Sequence, residues 1–310
     1  CLLLCGSQIG NSPIGSLRGI TEDVNLVCST SDAVRAVAAR DANLLKIRQF
    51  FLPFNPGLKQ ISFYGLIPSS LCTPQGLHND FCFFLWQNFK EEMAVQPEAS
   101  QWLSWSLEQV ALVLGQRFPN RNIWVVKASR MYLNKFSCYQ NFVESNMFGA
   151  PEHTAYTADS GAFHQLRSLL TNAMERAKLP PSGGAGGLPP GFSLTLVGFS
   201  KGCVVLNQLV YELPGARADP NMAAFVRRIS DVRTWVTDRE ALRELAASGV
   251  SVHAHVTPYE VRDPMRAWVG REYGVFIQTL EELGACPSRK LHFQDEPPSI
   301  QNHFRVILEF

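Results

Sequence analysis

The fold is decided by residues 193–213, which read Ser193-Leu-Thr-Leu-Val-Gly-Phe-Ser-Lys-Gly-Cys-Val-Val-Leu-Asn-Gln-Leu-Val-Tyr-Glu-Leu213. The pattern predicts a short apolar strand, a turn at Gly198-Phe-Ser-Lys-Gly202, and then an amphipathic helix. A serine between two glycines at a strand-to-helix turn is typical of a nucleophile elbow. Glycine suits Gly198 and Gly202 because a side chain there would collide with the neighbouring strand or helix. We therefore expect Ser200 to be a nucleophile and the backbone N–H of Lys201 to form part of an oxyanion hole.

The composition indicates a globular chain that is large enough for one α/β domain. The chain has 310 residues, of which 46% are hydrophobic and 18% are charged. The net charge of +1 gives no basic excess for binding nucleic acid or an anionic membrane. No run reaches the roughly 18 apolar residues of a membrane span. The eight cysteines are scattered without metal-ligand spacing, so we expect free thiols and predict no metal and no cofactor.

The two parts of the chain differ in how clearly they indicate structure. Residues 1–86 lack a sustained period, although residues 32–49 have helix-forming composition and residues 59–66 fit a strand. We expect this part to be a poorly defined, irregular N-terminal segment. From residue 87 onward, helical patterns alternate with short apolar runs that are typical of buried parallel strands. This alternation predicts a mostly parallel sheet with helices on both faces over residues 87–310. Together with the elbow motif, it predicts that this domain is α/β-hydrolase-like.

A serine nucleophile needs a base within hydrogen-bond reach and an acid that orients the base. In α/β-hydrolases these residues follow one another in the order Ser, Asp or Glu, His. Asp263 follows a predicted strand at residues 250–256, and His303 follows the last predicted strand, at residues 290–293. Both are therefore expected at the carboxyl edge of the sheet, where the loops converge. We predict a catalytic triad of Ser200, Asp263 and His303.

The two partners of the serine also have simpler explanations. Asp263 is followed by proline, so it fits the N-cap of a helix equally well. His303, taken alone, fits a structural or solvated side chain near the chain end. Tyr259, Glu260 and Asp295 are alternative acids or pocket residues, but no argument from order of similar strength supports them.

Two other chemistries would use different residues. His253 and His255 are two apart on a strand and project from the same face, so with Asp263 or His292 they form a candidate zinc site. We favour the alternative that this segment is a plain central strand. Lys201 beside the serine suggests a Ser–Lys dyad. We discount the dyad because a side chain one residue beyond the nucleophile points away along the helix.

Several longer runs are specific enough to indicate a family. They are Gln101-Trp102 with Trp105-Ser-Leu-Glu108, Arg117-Phe-Pro-Asn120, Lys135-Phe-Ser-Cys-Tyr139, Ser145-Asn-Met-Phe-Gly-Ala-Pro-Glu-His153, residues 198–208, His255-Val-Thr-Pro-Tyr259, Val261-Arg-Asp-Pro-Met-Arg266 and residues 298–306. Through these runs, residue 87 to the C-terminus resembles the vertebrate family of mitochondrial α/β-hydrolase-like proteins typified by the human chromosome 2 open reading frame 69 protein. The resemblance implies an α/β-hydrolase fold, a place in the mitochondrial matrix, and a part in normal respiration and energy metabolism. It implies no particular substrate.

The chain departs from that family in two places. Where the family has a strand that ends in Phe-Pro-Gly-Asp, a source of the second oxyanion donor, this chain reads Phe81-Cys-Phe-Phe-Leu-Trp86. After the elbow helix the family has a strand and a Gly-rich loop, whereas Ile229-Ser-Asp-Val-Arg-Thr-Trp235 runs straight through. Loss of one oxyanion donor typically costs about 3 kcal/mol of transition-state stabilisation. Loss of the oxyanion donor would therefore lower any hydrolase activity, and loss of a central strand would destabilise the sheet.

Two functions are consistent with these observations. The first is a serine hydrolase of the esterase or thioesterase type that acts on an ester or thioester of a small-molecule acyl group. The alternative is a catalytically impaired α/β-hydrolase scaffold that binds a metabolic protein partner in mitochondria. The chain begins with Cys1 rather than methionine. We therefore expect it to be a fragment or a processed product, in which no transit peptide can be read.

Overall fold

The structure is a computed structural model that describes residues 24–29, 32–37, 45–51, 62–67, 80–85, 104–118, 121–132, 136–146, 150–176, 191–233 and 236–309. The strands in these residues are β1 Val24–Ser29, β2 Asp32–Val37, β3 Leu45–Phe51, β4 Ser62–Ile67, β5 Asp80–Leu85, β6 Asn122–Val126, β7 Arg130–Tyr132, β8 Phe136–Cys138, β9 Glu144–Ser145, β10 Pro151–Glu152, β11 Ser193–Gly198, β12 Ile229–Arg233, β13 Ser251–Val256 and β14 Ser288–Leu291. The α-helices are α1 Leu107–Arg117, α2 Ala162–Arg176, α3 Cys203–Ala218, α4 Pro220–Val226, α5 Arg239–Ala247, α6 Pro258–Val261, α7 Ala267–Glu282 and α8 Ile300–Arg305. Short 3-10 turns span Ser200–Gly202, Pro264–Arg266 and Val306–Leu308.

One large sheet organises the fold, with strand order β1-β2-β3-β4-β6-β5-β11-β12-β13-β14. The strands β1 to β4 pair antiparallel with one another, and β4 pairs antiparallel with β6. From β6 to β14 along that order, every neighbouring pair is parallel. Parallel strands end at the same edge of a sheet, so the segments that follow β11, β13 and β14 converge. The elbow after β11, residues 257–263 after β13, and helix α8 after β14 therefore lie at one edge of the sheet.

Helices cover the sheet on both faces. All residues of β6 are buried, and they alternate between two apolar clusters. Trp124 and Val126 pack with α2, α3, α5 and α7, whereas Ile123 and Val125 pack with α1 and the C-terminal residues. Burial of a strand on both faces is expected for a parallel sheet between two helix layers. The predicted α/β-hydrolase-like class, a mostly parallel sheet with helices on both faces, is confirmed.

Five of the described strands lie within residues 1–86, for which the sequence predicted a poorly defined, irregular segment. The strands β1 to β4 continue the sheet beyond β6, and β5 lies between β6 and β11. The helix-forming composition of residues 32–49 falls on β2 and β3, while the strand expected at residues 59–66 corresponds to β4. Pairing with a neighbouring strand decides the conformation of such short segments, and local composition carries little of that information.

The stretch after the elbow helix also differs from expectation. Residues Ile229–Arg233 form β12, which lies between β11 and β13 and is parallel to both. The sheet is therefore continuous at the place where the sequence suggested a missing strand. Within the ranges that the structure describes, no helix combines the length and apolar character needed to cross a bilayer.

Candidate active site

Ser200 stands at the sharp turn between β11 and α3. Its φ is +52°, in the left-handed region that residues other than glycine rarely occupy. Gly198 precedes the turn, and a Cβ at that position would lie 2.8 Å from the Cα and 2.9 Å from the backbone nitrogen of Cys203. These close approaches involve backbone atoms, so a side chain could be accommodated only by moving the turn. The serine therefore sits in the strained, glycine-dependent geometry of a nucleophile elbow.

The 3-10 turn Ser200–Gly202 leads directly into α3. The N–H of Gly202 donates to the carbonyl of Phe199 at 2.8 Å, and Gly202 itself has ordinary helical angles, with φ −64° and ψ −24°. Lys201 contributes its backbone N–H to this first turn, where helix N–H groups lack acceptors within the helix. Partial positive charge collects at such a terminus, which suits the stabilisation of an oxyanion.

His303 and Glu260 form a buried acid–base pair at the same sheet edge. His303 lies in α8 and is 3% exposed, and Glu260 lies in α6 and is 6% exposed. Nδ1 of His303 is 2.6 Å from Oε1 of Glu260. An ionised carboxylate can only accept a hydrogen bond, so the proton belongs to Nδ1 and the basic nitrogen is Nε2. Nε2 is buried, and among the described residues it has no hydrogen-bond partner.

The position of Glu260 is fixed by the end of β13. Thr257 follows that strand, and its N–H donates to Oε2 of Glu260 at 2.9 Å, while its hydroxyl donates to the same oxygen. This arrangement resembles a capping box, in which the acidic side chain folds back to the start of its own helix. Burial by itself raises the pKa of Glu260. The charge and hydrogen bond of His303, together with the donors of Thr257, outweigh burial and hold that pKa below its usual value.

An aromatic contact joins the imidazole to the elbow. The ring of His303 stacks on Phe199 with a centroid distance of 4.4 Å. The ring of Tyr259 is tilted against the imidazole, with 5.4 Å between the two centroids. Phe199 immediately precedes Ser200, so the stacking contact joins the imidazole to the residue before the serine. A hydrogen bond from Ser200 Oγ to Nε2 is not formed, and such bonds often close only when substrate is bound.

Asp263, the acid expected from the sequence, does not contact His303 through any hydrogen bond of the described residues. One carboxylate oxygen accepts from the N–H of Met265 at 2.9 Å, and the other accepts from Nε of Arg266 at 2.7 Å. Asp263 therefore caps the 3-10 turn that begins at proline, and Glu260 takes the place beside the imidazole. The signal that could have found Glu260 is Thr257-Pro-Tyr-Glu260, a capping-box spacing directly after a strand.

Two histidines of the candidate zinc site are bonded to each other, and the third lies near a carboxylate. Nδ1 of His255 is 2.8 Å from Nε2 of His292, so these two nitrogens are hydrogen-bonded to each other. Nε2 of His253 is 3.5 Å from a carboxylate oxygen of Asp231. In the part of the chain that the structure describes, no group of three or more His, Cys, Asp or Glu side chains has the arrangement of a metal site.

Comparisons with known proteins identify relatives of this chain. The family model C2orf69 matches residues 81–182 and 188–286. The mitochondrial protein C2orf69 homolog of Danio rerio is 63% identical over 242 residues, which are 72% of this chain and 70% of that protein. The mitochondrial protein C2orf69 of Homo sapiens is 44% identical over 274 residues, which are 71% of this chain and 70% of that protein.

A solved structure shares the fold. The crystal structure of a thermostable esterase superposes with a TM-score of 0.51 at 10% sequence identity, and covers 85% of this chain and 60% of the esterase. At that identity the likeness concerns the fold, which is the α/β-hydrolase fold. The names of the sequence relatives support a mitochondrial location for this chain. Because the family model spans most of the chain and the relatives are so similar, the chain belongs to the C2orf69 family.

Proposed function

We propose that this protein is a serine hydrolase that cleaves an ester or thioester by acyl transfer, with Ser200 as nucleophile, His303 as base and Glu260 as orienting acid. The observation that carries the proposal is the buried Glu260–His303 pair, 2.6 Å apart, held against the residue that precedes a strained serine. Glu260 replaces Asp263 in this assignment because its carboxylate is the one that meets Nδ1. The order along the chain is still serine, acid, histidine.

The reaction follows from these positions. Nε2 of His303 takes the proton of the Ser200 hydroxyl as Oγ bonds to the acyl carbonyl carbon. The bond to the leaving oxygen or sulfur then breaks, and His303 gives the proton to that atom. Water next attacks the acyl-serine, and its proton passes through His303 to Oγ, which releases the acid and restores the enzyme. Glu260 stays ionised and stabilises the imidazolium at each step.

The oxyanion hole would need two donors. The backbone N–H of Lys201 is one of them, because the residue after the nucleophile supplies a donor in this fold. The second is expected from the residues that follow β5, the neighbour of β11 in the sheet. The sequence departs from its family at residues 81–86, which are most of β5 and the residue after it, and the residues that follow β5 lie outside the described ranges.

The cellular role proposed for this activity is support of respiration and energy metabolism in the mitochondrial matrix. The family resemblance motivates this part of the proposal. In cells that lack the endogenous protein, we expect the wild-type chain to restore oxygen consumption and the Ser200→Ala variant to fail. Restoration by Ser200→Ala would contradict a catalytic role.

Purified protein provides the direct test of the chemistry. We expect the wild-type chain to hydrolyse members of a panel of acyl thioesters and 4-nitrophenyl esters. Ser200→Ala should reduce turnover by about 10⁴-fold or more while the fold is retained. Equal turnover by the two proteins would refute the assignment of Ser200.

The second candidate function is a binding scaffold without catalysis, and the altered sequence at residues 81–86 is the observation that favours it. A scaffold would keep its mitochondrial protein partner when the nucleophile is removed. Co-purification of the same partner with wild type and Ser200→Ala, together with rescue of respiration by that variant, would support this alternative.

A further inference from the structure

Three aromatic rings lie against the imidazole of the proposed base. Phe199 stacks on His303, Tyr259 is tilted against it, and the ring centroid of Phe304 is 5.6 Å from that of the imidazole. Phe199 and Phe304 are buried in the apolar cluster that α1 forms with the C-terminal residues. Tyr259, in α6, is only half-buried. That cluster therefore holds the two phenylalanine rings, and the tyrosine ring has to be held in another way.

Arg266 holds Tyr259 at two points. Its guanidinium carbon lies 4.5 Å from the centroid of the tyrosine ring, and its Nη2 donates to the backbone carbonyl of Tyr259 at 2.9 Å. Nε of Arg266 donates to a carboxylate oxygen of Asp263 at 2.7 Å. A planar guanidinium can stack on a ring and donate hydrogen bonds in its own plane at the same time, which a lysine ammonium group cannot do. Arg266 therefore fixes both the backbone and the ring of Tyr259.

Arg266 is also buried, which is costly for a charged side chain. It is 8% exposed, and arginine is almost never buried unless it is paired. Asp263 supplies the opposite charge. Burial raises the pKa of Asp263, but Arg266 and the N–H of Met265 outweigh burial and hold that pKa below its usual value. A cap on the 3-10 turn needs only the aspartate and the N–H of Met265, so the arginine over the tyrosine goes beyond what the turn requires.

The hydrogen bond to Glu260 does not by itself fix the plane of the imidazole. A single bond at Nδ1 leaves the ring of His303 free to tilt, whereas proton transfer needs Nε2 to point at Oγ of Ser200. Misplacement of a reacting group by about 1 Å can cost about a hundredfold in rate. Packing against the imidazole restricts this tilt, and Tyr259 supplies part of that packing.

We propose that Arg266 is a positioning residue for the hydrolase reaction: it holds the ring of Tyr259 against His303 and so keeps Nε2 directed at the serine and at the leaving group. The proposal rests on the proposed function. Arg266 acts through the tyrosine ring and not on the reacting atoms. Two of its contacts are with Tyr259 itself, so the stack does not depend on the Asp263 carboxylate alone.

The test measures hydrolysis, by the full chain, of the thioester in the panel that the wild type cleaves fastest. Arg266→Lys keeps the charge beside Asp263 but loses the stack, so we expect kcat to fall by about ten- to a hundredfold with KM within about twofold. Tyr259→Leu should show the same loss, whereas Tyr259→Phe keeps the ring and should retain kcat within about threefold. Arg305→Met is the matched control, because the exposed Arg305 guanidinium lies 4.5 Å from the ring centroid of Phe293 and not over Tyr259. It should also retain kcat within about threefold.

A double-mutant cycle separates positioning from a purely structural role. If Arg266 acts through Tyr259, the Arg266→Lys, Tyr259→Leu double variant should lose no more kcat than the larger single loss. Losses that multiply, or an unchanged kcat in Arg266→Lys, would overturn the proposal and leave the hydrolase function intact. Circular dichroism checks the fold, and Arg266→Gln replaces Arg266→Lys in the cycle if the lysine variant does not fold. A wild type that neither hydrolyses the panel nor reacts with a fluorophosphonate probe would overturn the hydrolase function, and the positioning role with it.

Discussion

Replacement of Glu260 by glutamine separates the two candidate acids most sharply. In the wild type, Oε2 of Glu260 accepts from Thr257 and Oε1 accepts from Nδ1 of His303. Glutamine has the same shape but only one acceptor oxygen. The backbone N–H of Thr257 is buried and must keep an acceptor, so the amide oxygen is expected there and the NH₂ group toward His303. The imidazole would then accept at Nδ1 and carry its proton on Nε2, where it cannot act as a base.

The expected loss follows from this change of tautomer. A catalytic histidine held in the wrong tautomer loses about 10⁴-fold in kcat. That loss corresponds to about 5.5 kcal/mol at 1.36 kcal/mol for each factor of ten. Removal of one charge-assisted hydrogen bond also lowers the free energy of unfolding by about 2 kcal/mol. Glu260→Gln should therefore fold, with a slightly lower melting temperature, and be nearly inactive.

Asp263→Asn is the matched control, because asparagine can still cap the turn at residues 264–266. We expect kcat within about threefold of wild type for this variant, as its side chain accepts from Met265 and Arg266 and not from the imidazole. The assay is hydrolysis of a preferred thioester, with circular dichroism to check the fold. Loss of activity in Asp263→Asn with retention in Glu260→Gln would refute the assignment of the acid.

Three further predictions concern stability, each measured as a melting temperature by differential scanning fluorimetry. Gly198→Ala should lower the free energy of unfolding by about 2 kcal/mol, because its Cβ would meet backbone atoms at 2.8 Å. Glu212→Ala should lower it by about 3 kcal/mol, because the N–H groups of Ala162 and Phe163, 2.8 and 3.0 Å from the carboxylate, lose their acceptor. Lys201→Met should raise the melting temperature of the protein by about 2 °C near neutral pH, because burial disfavours the charge that the substitution removes. This gain should shrink as the pH rises, since the lowered pKa of Lys201 makes the wild type more stable between that pKa and the ordinary value near 10.4.

A different melting temperature would contradict each of these three predictions. An unchanged melting temperature in Gly198→Ala would mean that the turn can relax, and the elbow would not depend on glycine. An unchanged value in Glu212→Ala would mean that α2 does not depend on this cap. A melting temperature of Lys201→Met below that of wild type, or a difference independent of pH, would mean that burial of the charged ammonium group does not destabilise the fold.

The elbow could be predicted from the sequence because its signal is local. Gly198, Ser200 and Gly202 stand between an apolar run and a helical pattern, and the structure places a sharp turn there with a positive φ at the serine. The strand β13, at Ser251–Val256, could be predicted for the same reason, since residues 250–256 show a strand pattern. Among the described strands before residue 86, β4 could be predicted from residues 59–66, whereas β2 and β3 fall on helix-forming composition and depend on pairing with neighbouring strands.

The sequence restricts the acid that orients His303 to the loop after β13, but it does not choose between Glu260 and Asp263. Glu260 and Asp263 follow the same strand and satisfy the same chain order. The choice depends on which side chain turns back toward the imidazole, and that is set by the capping arrangement at Thr257. The burial of Lys201 was also beyond the sequence, because it depends on how β8 packs against the elbow. In both cases the missing information is tertiary packing.

The central claim is that Ser200 is a nucleophile activated by His303 and Glu260. A fluorophosphonate probe, followed by tandem mass spectrometry of the labelled peptides, tests it most directly. We predict a single phosphonyl adduct on Ser200 of the wild type, no adduct on Ser200→Ala, and labelling slowed by at least about a hundredfold in Glu260→Gln. An adduct on another residue, or a wild type that labels no faster than Ser200→Ala, would contradict the account.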